Sequence, residues 1–359
     1  QNIMISLLIK FIKIKIKFIK PRNTEVLIYD RPSLQNAELL FNKSTFEILD
    51  TRYESLNIYV LIKTILKYGI TNIKKNYKRT FFELVSPKII YTSIDNTPAF
   101  FLLKQIYNKV QYIADQGSIR DNAFYNSSLE LLKKKIILEC DYIFALGEND
   151  VERFKKAINI KKSNILIAGQ TKNNSINIKT TTKKIKYITY ISSKFDIRGD
   201  MEYKILKNLI KFCKENSFKL YYLDRQDDRS KKTLYEKFEK KDIAHIKFLD
   251  LKEKYTFLSK SKIIVFAHST LGYECLSRNL KCMSLNHQEY FHGLKRKYKN
   301  EGPFWIKTNN YINFKNKINK ILNYSDKQWK RISNKFSSEI LYYDNNNVLK
   351  KKVIKKILS

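Results

Sequence analysis

Along most of this chain, short apolar runs rich in Ile, Val, Tyr and Phe alternate with longer stretches whose apolar side chains recur at helical spacing. The first kind suits strands buried on both faces of a parallel sheet, and the second suits helices that cover it. The pattern predicts strands at Glu25–Asp30, Thr45–Leu49, Lys88–Ile94, Val110–Ala114, Tyr142–Leu146 and Asn164–Ala168, with helices at Leu56–Lys67, Pro98–Tyr107 and Glu148–Ile158. A second series follows, with strands at Ile185–Ile191, Lys219–Leu223, His245–Leu249, Lys262–Ala267 and Lys281–Leu285. Its helices fall at Met201–Glu215, Lys231–Lys240, Lys252–Leu258, Leu271–Arg278 and Phe314–Asn323. Such alternation defines an α/β protein with parallel sheets.

Between the two series lies Thr171–Lys184, free of glycine and rich in Asn, Thr and Lys, which reads as an interdomain linker. The chain then divides into a Rossmann-like domain over 23–170, the linker over 171–184, a second Rossmann-like domain over 185–325 and a helical segment over 326–359. In the last of these, Val348–Leu358 is a Lys/Ile helix expected to return to the body. Two doubly wound units in one chain predict a shared ligand cleft at the carboxyl ends of the strands.

Residues 1–22 stand apart as a basic amphipathic segment. Wound as a helix, Lys10, Lys13, Lys17 and Lys20 share one face and Leu8, Ile9, Phe11, Ile12, Ile16 and Ile19 surround them. That is the pattern of a helix lying on an anionic bilayer, and it is the preferred reading. Lys13–Phe18 also alternates strictly, as an edge strand does. No run of about 20 uninterrupted apolar residues exists, so no transmembrane helix is expected.

The formal net charge is +36. Lysine outnumbers arginine about five to one, and the basic residues are spread along the chain, as A/T-rich coding produces. Attraction to a membrane or to phosphates comes next. Nucleic acid comes last, because dedicated readers of bases favour arginine. Cys140, Cys213, Cys275 and Cys282 form no CxxC pair and read as reduced core thiols of a cytoplasmic protein.

The segment Lys262–Asn279 is the richest in chemistry. A strand runs into His268, Ser269 and Thr270, and a helix starts at once, which forms an anion site suited to a diphosphate. Glu274 lies one turn further on, where a carboxylate can accept a ribose or sugar hydroxyl. The plainer reading is that Ser269 or Thr270 only caps the helix. Ser192 and Ser193 follow the first strand of the second domain and are candidates for donor phosphate. Asp224, Asp227 and Asp228 read as a solvated loop neutralised by Arg225 and Arg229, and His287, Glu289 and His292 do not share a helix face, so no metal is expected.

The stretch STLGYECLSRN resembles the donor-site motif of bacterial surface carbohydrate (lipopolysaccharide or capsule) biosynthesis proteins, which have GT-B architecture. Further fragments agree in order: IYDRP, TRYESLN, SIDNTPAF, ADQGSIRDN, ALGEND, IAGQTKNN, YISSKFD and GPFW. Two positions depart from that pattern, His268 in place of an acid and Asp115 in place of an uncharged residue, and they bear on the identity of donor or acceptor.

The resemblance implies two Rossmann-like domains facing a central cleft and a glycosyltransferase that uses a nucleotide-activated sugar. It implies no metal or other cofactor. An inverting transfer needs a general base, for which Asp95 or Asp115 at strand ends of the first domain is the candidate, against the reading of each as a cap or turn residue. Asn96, Gln116, Gly117 and Arg120 would meet the acceptor. The expected partners are a nucleotide-sugar donor, a lipid-linked or oligosaccharide acceptor and an anionic membrane surface, with the protein cytoplasmic and peripheral at the inner face of the membrane. A CDP-polyol-type phosphotransferase on the same fold and a non-catalytic basic protein binding nucleic acid or membrane are the alternatives.

Overall fold

Each series of apolar runs becomes one parallel sheet in the computed structural model of the chain, which describes residues 14–42, 45–52, 54–120, 122–177, 186–192, 195–224, 228–249, 254–267, 269–285, 301–307 and 310–359. One unit comprises Gln1–Ser175 with Asp344–Ser359, and the other Ile176–Tyr343.

The strands of the first unit are β1 (Lys15–Lys17), β2 (Val26–Tyr29), β3 (Phe46–Leu49), β4 (Ser55–Asn57), β5 (Ile89–Thr92), β6 (Gln111–Asp115), β7 (Tyr142–Ala145) and β8 (Ile165–Ile167). Its helices in this part are α1 (Leu34–Leu40), α2 (Ile58–Tyr68), α3 (Ile73–Val85), α4 (Pro98–Phe101), α5 (Asn122–Lys133), α6 (Glu148–Ala157) and α7 (Thr171–Ser175). The six-stranded sheet has the order β3-β2-β5-β6-β7-β8, with every pair parallel.

Because side chains alternate across a strand, Leu27 and Tyr29 enter one core with Phe81, Phe82, Phe100, Phe101 and Phe154, while Val26 and Ile28 enter another with Ala37, Phe41 and Ile354. Chain order reverses between β2 and β5, so the crevice of this doubly wound sheet opens at the carboxyl ends of those two strands.

The second unit contains α8 (Phe195–Glu215), α9 (Asp228–Lys237), α10 (Lys240–Ile243), α11 (Lys254–Lys260), α12 (Thr270–Ser277), α13 (Tyr311–Asn323) and α14 (Asp326–Ile340). Its strands β9 (Tyr187–Ile191), β10 (Lys219–Leu223), β11 (Ile246–Phe248), β12 (Ile263–Phe266), β13 (Cys282–Leu285) and β14 (Trp305–Ile306) form a parallel sheet ordered β11-β10-β9-β12-β13-β14. The reversal here falls between β9 and β12. The GPFW turn is an anchor. Phe304 and Trp305 meet Phe336 edge-on, and a Cβ on Gly302 would fall 2.0 Å from the Trp305 ring.

Three sequence expectations change here. Lys15–Lys17 is a strand rather than part of a surface helix; it pairs with β4, and the Asn57 side chain donates to the Ile19 carbonyl. Residues 1–13 of that segment lie outside the described residues. Thr171–Ser175, read as the start of a linker, is α7, with Thr171, Asn173 and Asn174 fully buried. The segment after 326 divides: α14 belongs to the second unit, and α15 (Val348–Leu358) to the first.

The reason for the last two is a buried polar lock. Asn174 Nδ2 donates to Ala168 O and to Asn347 Oδ1, and Asn347 Nδ2 donates to Thr171 O and Ser175 Oγ. Beside it, Lys350 donates to Asp115 Oδ1 at 2.6 Å and to Thr171 Oγ1 at 2.7 Å, with both charged side chains fully buried. Asp115 Oδ2 accepts from Tyr91 and Thr171. Burial pushes the Lys350 ammonium below its ordinary pKa against the pull of Asp115. Removing one partner of a buried pair leaves an uncompensated charge. Lys350→Met is therefore expected to lose about 3–5 kcal/mol of stability in chemical denaturation, and Asp115→Asn in the same background to recover part of that loss.

Candidate functional site

In the second unit the crevice lies between the ends of β9 and β12. The chain leaves β12 through Ala267 and enters α12 with Ser269 at the cap position in extended conformation. The Ser269 side chain makes no capping hydrogen bond. The first N–H groups of a helix have no acceptor within it, and the macrodipole adds partial positive charge at that end. Gly272 allows the close approach that places this helix start, because a Cβ there would lie 2.3 Å from the Phe266 ring at the end of β12.

The other expected donor residues fare differently. Ser192 stands across the crevice after β9, but its side chain is buried and donates to Glu202 of α8 at 3.2 Å. Glu274 is turned into the domain and accepts the Tyr255 hydroxyl at 2.5 Å, so it holds α11 to α12 rather than offering a carboxylate to a ribose. That bond and burial together push the Tyr255 phenol far above its ordinary pKa, burial being the larger cause. Ser193, His268, Asp227, His287, Glu289 and His292 lie outside the described residues.

In the first unit the expected acids are committed elsewhere. Asp115 belongs to the buried lock with Lys350, and as a general base it is corrected: Lys350, Tyr91 and Thr171 take up both its oxygens and it has no exposed surface. Asp95 is likewise fully buried. Arg120 grips it in a fork, with Nε at 3.0 Å from Oδ2 and an Nη on Oδ1, and Gly117 N donates to Oδ1 at 3.2 Å. Desolvation raises the Asp95 pKa, and Arg120 and Gly117 oppose the rise.

Gln116 bridges Asp150 Oδ2 and Leu146 N, and a Cβ on Gly117 would lie 3.0 Å from Ser93 O. The loop 116–120 is thus a closed wall, with Arg120 spent on Asp95 rather than on an acceptor. Asn96 alone of the expected acceptor residues is exposed.

The crevice itself holds residues the sequence reading passed over. Asp30 ends β2 at φ 76°, ψ 124°, an uncommon backbone for a residue with a Cβ. Its Oδ2 accepts Arg52 Nε at 2.7 Å, while its buried Oδ1 has no partner among the described residues. Strain and an unsatisfied buried carboxylate oxygen together mark a functional position. The IYDRP fragment contained this residue, and an acid directly before Arg-Pro at a strand end was the available signal.

Ser33 closes the opposite side, bonded to Thr92 Oγ1 and accepting from Ser93 N. At the end of β3, Asp50 is held by Arg31 at 2.7 and 2.8 Å and by Ser55. Burial acts to raise its pKa, yet those bonds and the charge of Lys17 hold it below the usual carboxylate range.

Sequence comparison supports the carbohydrate reading for part of the chain. A family described as "putative O-antigen biosynthesis protein" matches residues 199–358, which cover most of the second unit and the returning helix α15. No curated protein sequence matches the chain.

Among solved structures, the UDP-GlcNAc 2-epimerase of Methanocaldococcus jannaschii is similar over 92% of this chain and 98% of its own, with TM-score 0.57 and 12% identity. The wall teichoic acid polymerase TagF is similar over 93% and 90%, with TM-score 0.50 and 11% identity. The pneumococcal O-GlcNAc transferase GtfA, solved with UDP and GlcNAc, is similar over 79% and 60%, with TM-score 0.50 and 11% identity. The class is therefore settled: this chain has the GT-B fold expected of it. Within that class, it resembles the surface carbohydrate biosynthesis proteins. Identities this low carry architecture and leave the chemistry to the site.

Because the Asp50 pKa is depressed in the fold, its contribution is present above the unfolded carboxylate pKa and lost as pH falls through the folded value. Asp50→Asn is expected to cost about 1–3 kcal/mol at neutral pH. The gap from wild type should close in acid, as urea titrations at several pH values will show.

Proposed function

We propose that this protein is a glycosyltransferase that takes a sugar from a nucleotide-activated donor during assembly of a bacterial surface polysaccharide. The observation that carries the reading is the start of α12 at the switch point of the second sheet, with Ser269 uncapping and Gly272 pressed on Phe266. A diphosphate there meets N–H donors and the positive end of the helix, and charge growing on the leaving phosphate meets the same groups. Ser269 and Thr270 are the donor residues we retain, with His268 directly before them in sequence and Ser193 in the segment after β9.

On the first unit, Asp30 takes the role first given to Asp95 or Asp115. Its unpartnered Oδ1 is the oxygen to accept the proton of the acceptor hydroxyl, and Arg52 keeps the carboxylate oriented. Asn96 is the acceptor-binding residue that stays accessible. The acceptor is a lipid-linked or oligosaccharide alcohol at an anionic membrane surface. The match of residues 199–358 to an O-antigen biosynthesis family supports the polysaccharide context.

Nucleotide binding to the folded state must raise apparent stability, by about 2.7 kcal/mol at a hundredfold excess over Kd. A thermal-shift panel of nucleotide sugars is expected to single out one nucleotide family. Thr270→Glu places a carboxylate in the first turn of α12, which suits the helix but repels a diphosphate. Its own Tm should be kept while the nucleotide shift disappears. Loss of neither, or of both, removes the donor site from α12.

Asp30→Asn should abolish turnover and leave the nucleotide shift intact. Product analysis separates the chemistries: a released nucleoside diphosphate marks glycosyl transfer, a monophosphate marks phosphotransfer unless the donor is a CMP-sugar, and an altered sugar still on its nucleotide marks epimerisation.

A further inference from the structure

Helix α2 is built the wrong way round for a surface helix. Val60 and Thr64 point inward and are buried, whereas Ile62, Ile65 and Leu66 stand 52%, 40% and 76% exposed. These three share one face, at positions i, i+3 and i+4. Gly69, at φ +68°, ends the helix, and Ile70 follows with 77% of its surface in solvent. Just after β1, which pairs with β4 at the head of the same helix, Phe18 and Ile19 are 70% and 83% exposed. A soluble surface seldom keeps so many large apolar groups together without a partner.

The exposed charges around this stripe are predominantly positive. Lys63, Lys67, Lys74 and Lys75 are exposed, and Glu83, an acid on this face, is engaged by Lys67 at 2.8 Å and by the Tyr68 hydroxyl at 3.0 Å. Between the start of α3 and the segment after α4 lies an open cavity of about 650 Å³, lined by Ile70, Ile73, Lys74, Lys75, Lys78 and Ile106. Apolar side chains beside lysines that border an amphipathic hollow fit a bilayer interface, where acyl chains meet the former and phosphates the latter. With Glu83 already neutralised by Lys67, the lysines left over give the rim an excess of positive charge, which suits an anionic bilayer better than a protein surface of mixed charge.

We infer that the outer face of α2, with Ile70 and the lysines at the start of α3, docks the protein on an anionic lipid bilayer, a phosphate-bearing headgroup entering the cavity between Lys74, Lys75 and Lys78. The inference deepens the membrane part of the proposed function by naming the surface, and it is independent of the donor site. It also moves the membrane contact away from the N-terminal lysines alone to a folded face of the first unit.

The test is flotation of the full chain with phosphatidylcholine vesicles, with and without phosphatidylglycerol, at low and high salt. Wild type is expected to float with the anionic vesicles only, and less at high salt. Lys74→Glu with Lys75→Glu should weaken binding by tenfold or more, since each lysine near an anionic surface contributes about fivefold. Leu66→Ser with Ile70→Ser should release the protein while its Tm stays unchanged. Lys351→Glu with Lys352→Glu on α15 makes the same change in net charge and should leave flotation unaltered.

The inference falls if wild type does not float or if the α15 control is released as fully as the Lys74 and Lys75 variant. It also falls if the Leu66 and Ile70 variant floats normally but loses a self-association seen by sedimentation. Nucleotide shifts measured without lipid report on the donor site alone, so the two readings fail separately.

Discussion

The buried pair of Lys350 and Asp115 holds together an arrangement that chain order alone would not give. After completing the second sheet, the polypeptide returns to the first unit, and α15 covers one face of its sheet beside α1. An ammonium and a carboxylate taken out of water are costly unless each is fully answered, and here Thr171 and Tyr91 complete the set. The same lock fixes the end of β6. Asp115 is the last residue of that strand, and the loop that follows it carries Gln116, Gly117 and Arg120.

That loop explains why the first unit's crevice is rigid on one side and strained on the other. Asp95, Arg120 and Gly117 satisfy one another, and Gln116 joins Asp150 to the start of the segment after β7. Such closed networks position the backbone and leave little for a ligand. The opening falls instead at β2, where Asp30 keeps an uncommon backbone and an unanswered oxygen. In the second unit the equivalent point is the start of α12. There the glycine that packs on Phe266, rather than any charged side chain, brings the helix end to the strand ends.

The exposed stripe on α2 belongs to a different scale of organisation. Its period is regular, but a second apolar stripe faces away from the core: Thr64 is inside with Val60, while Ile62, Ile65 and Leu66 are outside. Periodicity cannot report phase, so Leu56–Lys67 was legible as a helix and its outward apolar face was not. Lysines spread by coding bias gain a local meaning where they border that stripe.

The sequence by itself determined the main strands of both sheets and the class of fold, though not every helix between them. Buried parallel strands must be short apolar runs, and covering helices must repeat at their own period, whatever the partners. It also determined the strand-to-helix turn at Ser269, because that signal is local. Only the tertiary structure decided which polar residues are free. Thr171, Asn173 and Asn174 have the composition of a linker, yet they are buried because Asn347 and Lys350, far along the chain, supply their hydrogen bonds. Asp115, Asp95 and Glu274 have the residue type of catalytic or binding acids, and partners as distant as Lys350, Arg120 and Tyr255 commit them to structure. A carboxylate's chemistry is set by what stands within about 3 Å of it, and that is a property of the fold rather than of the neighbouring letters.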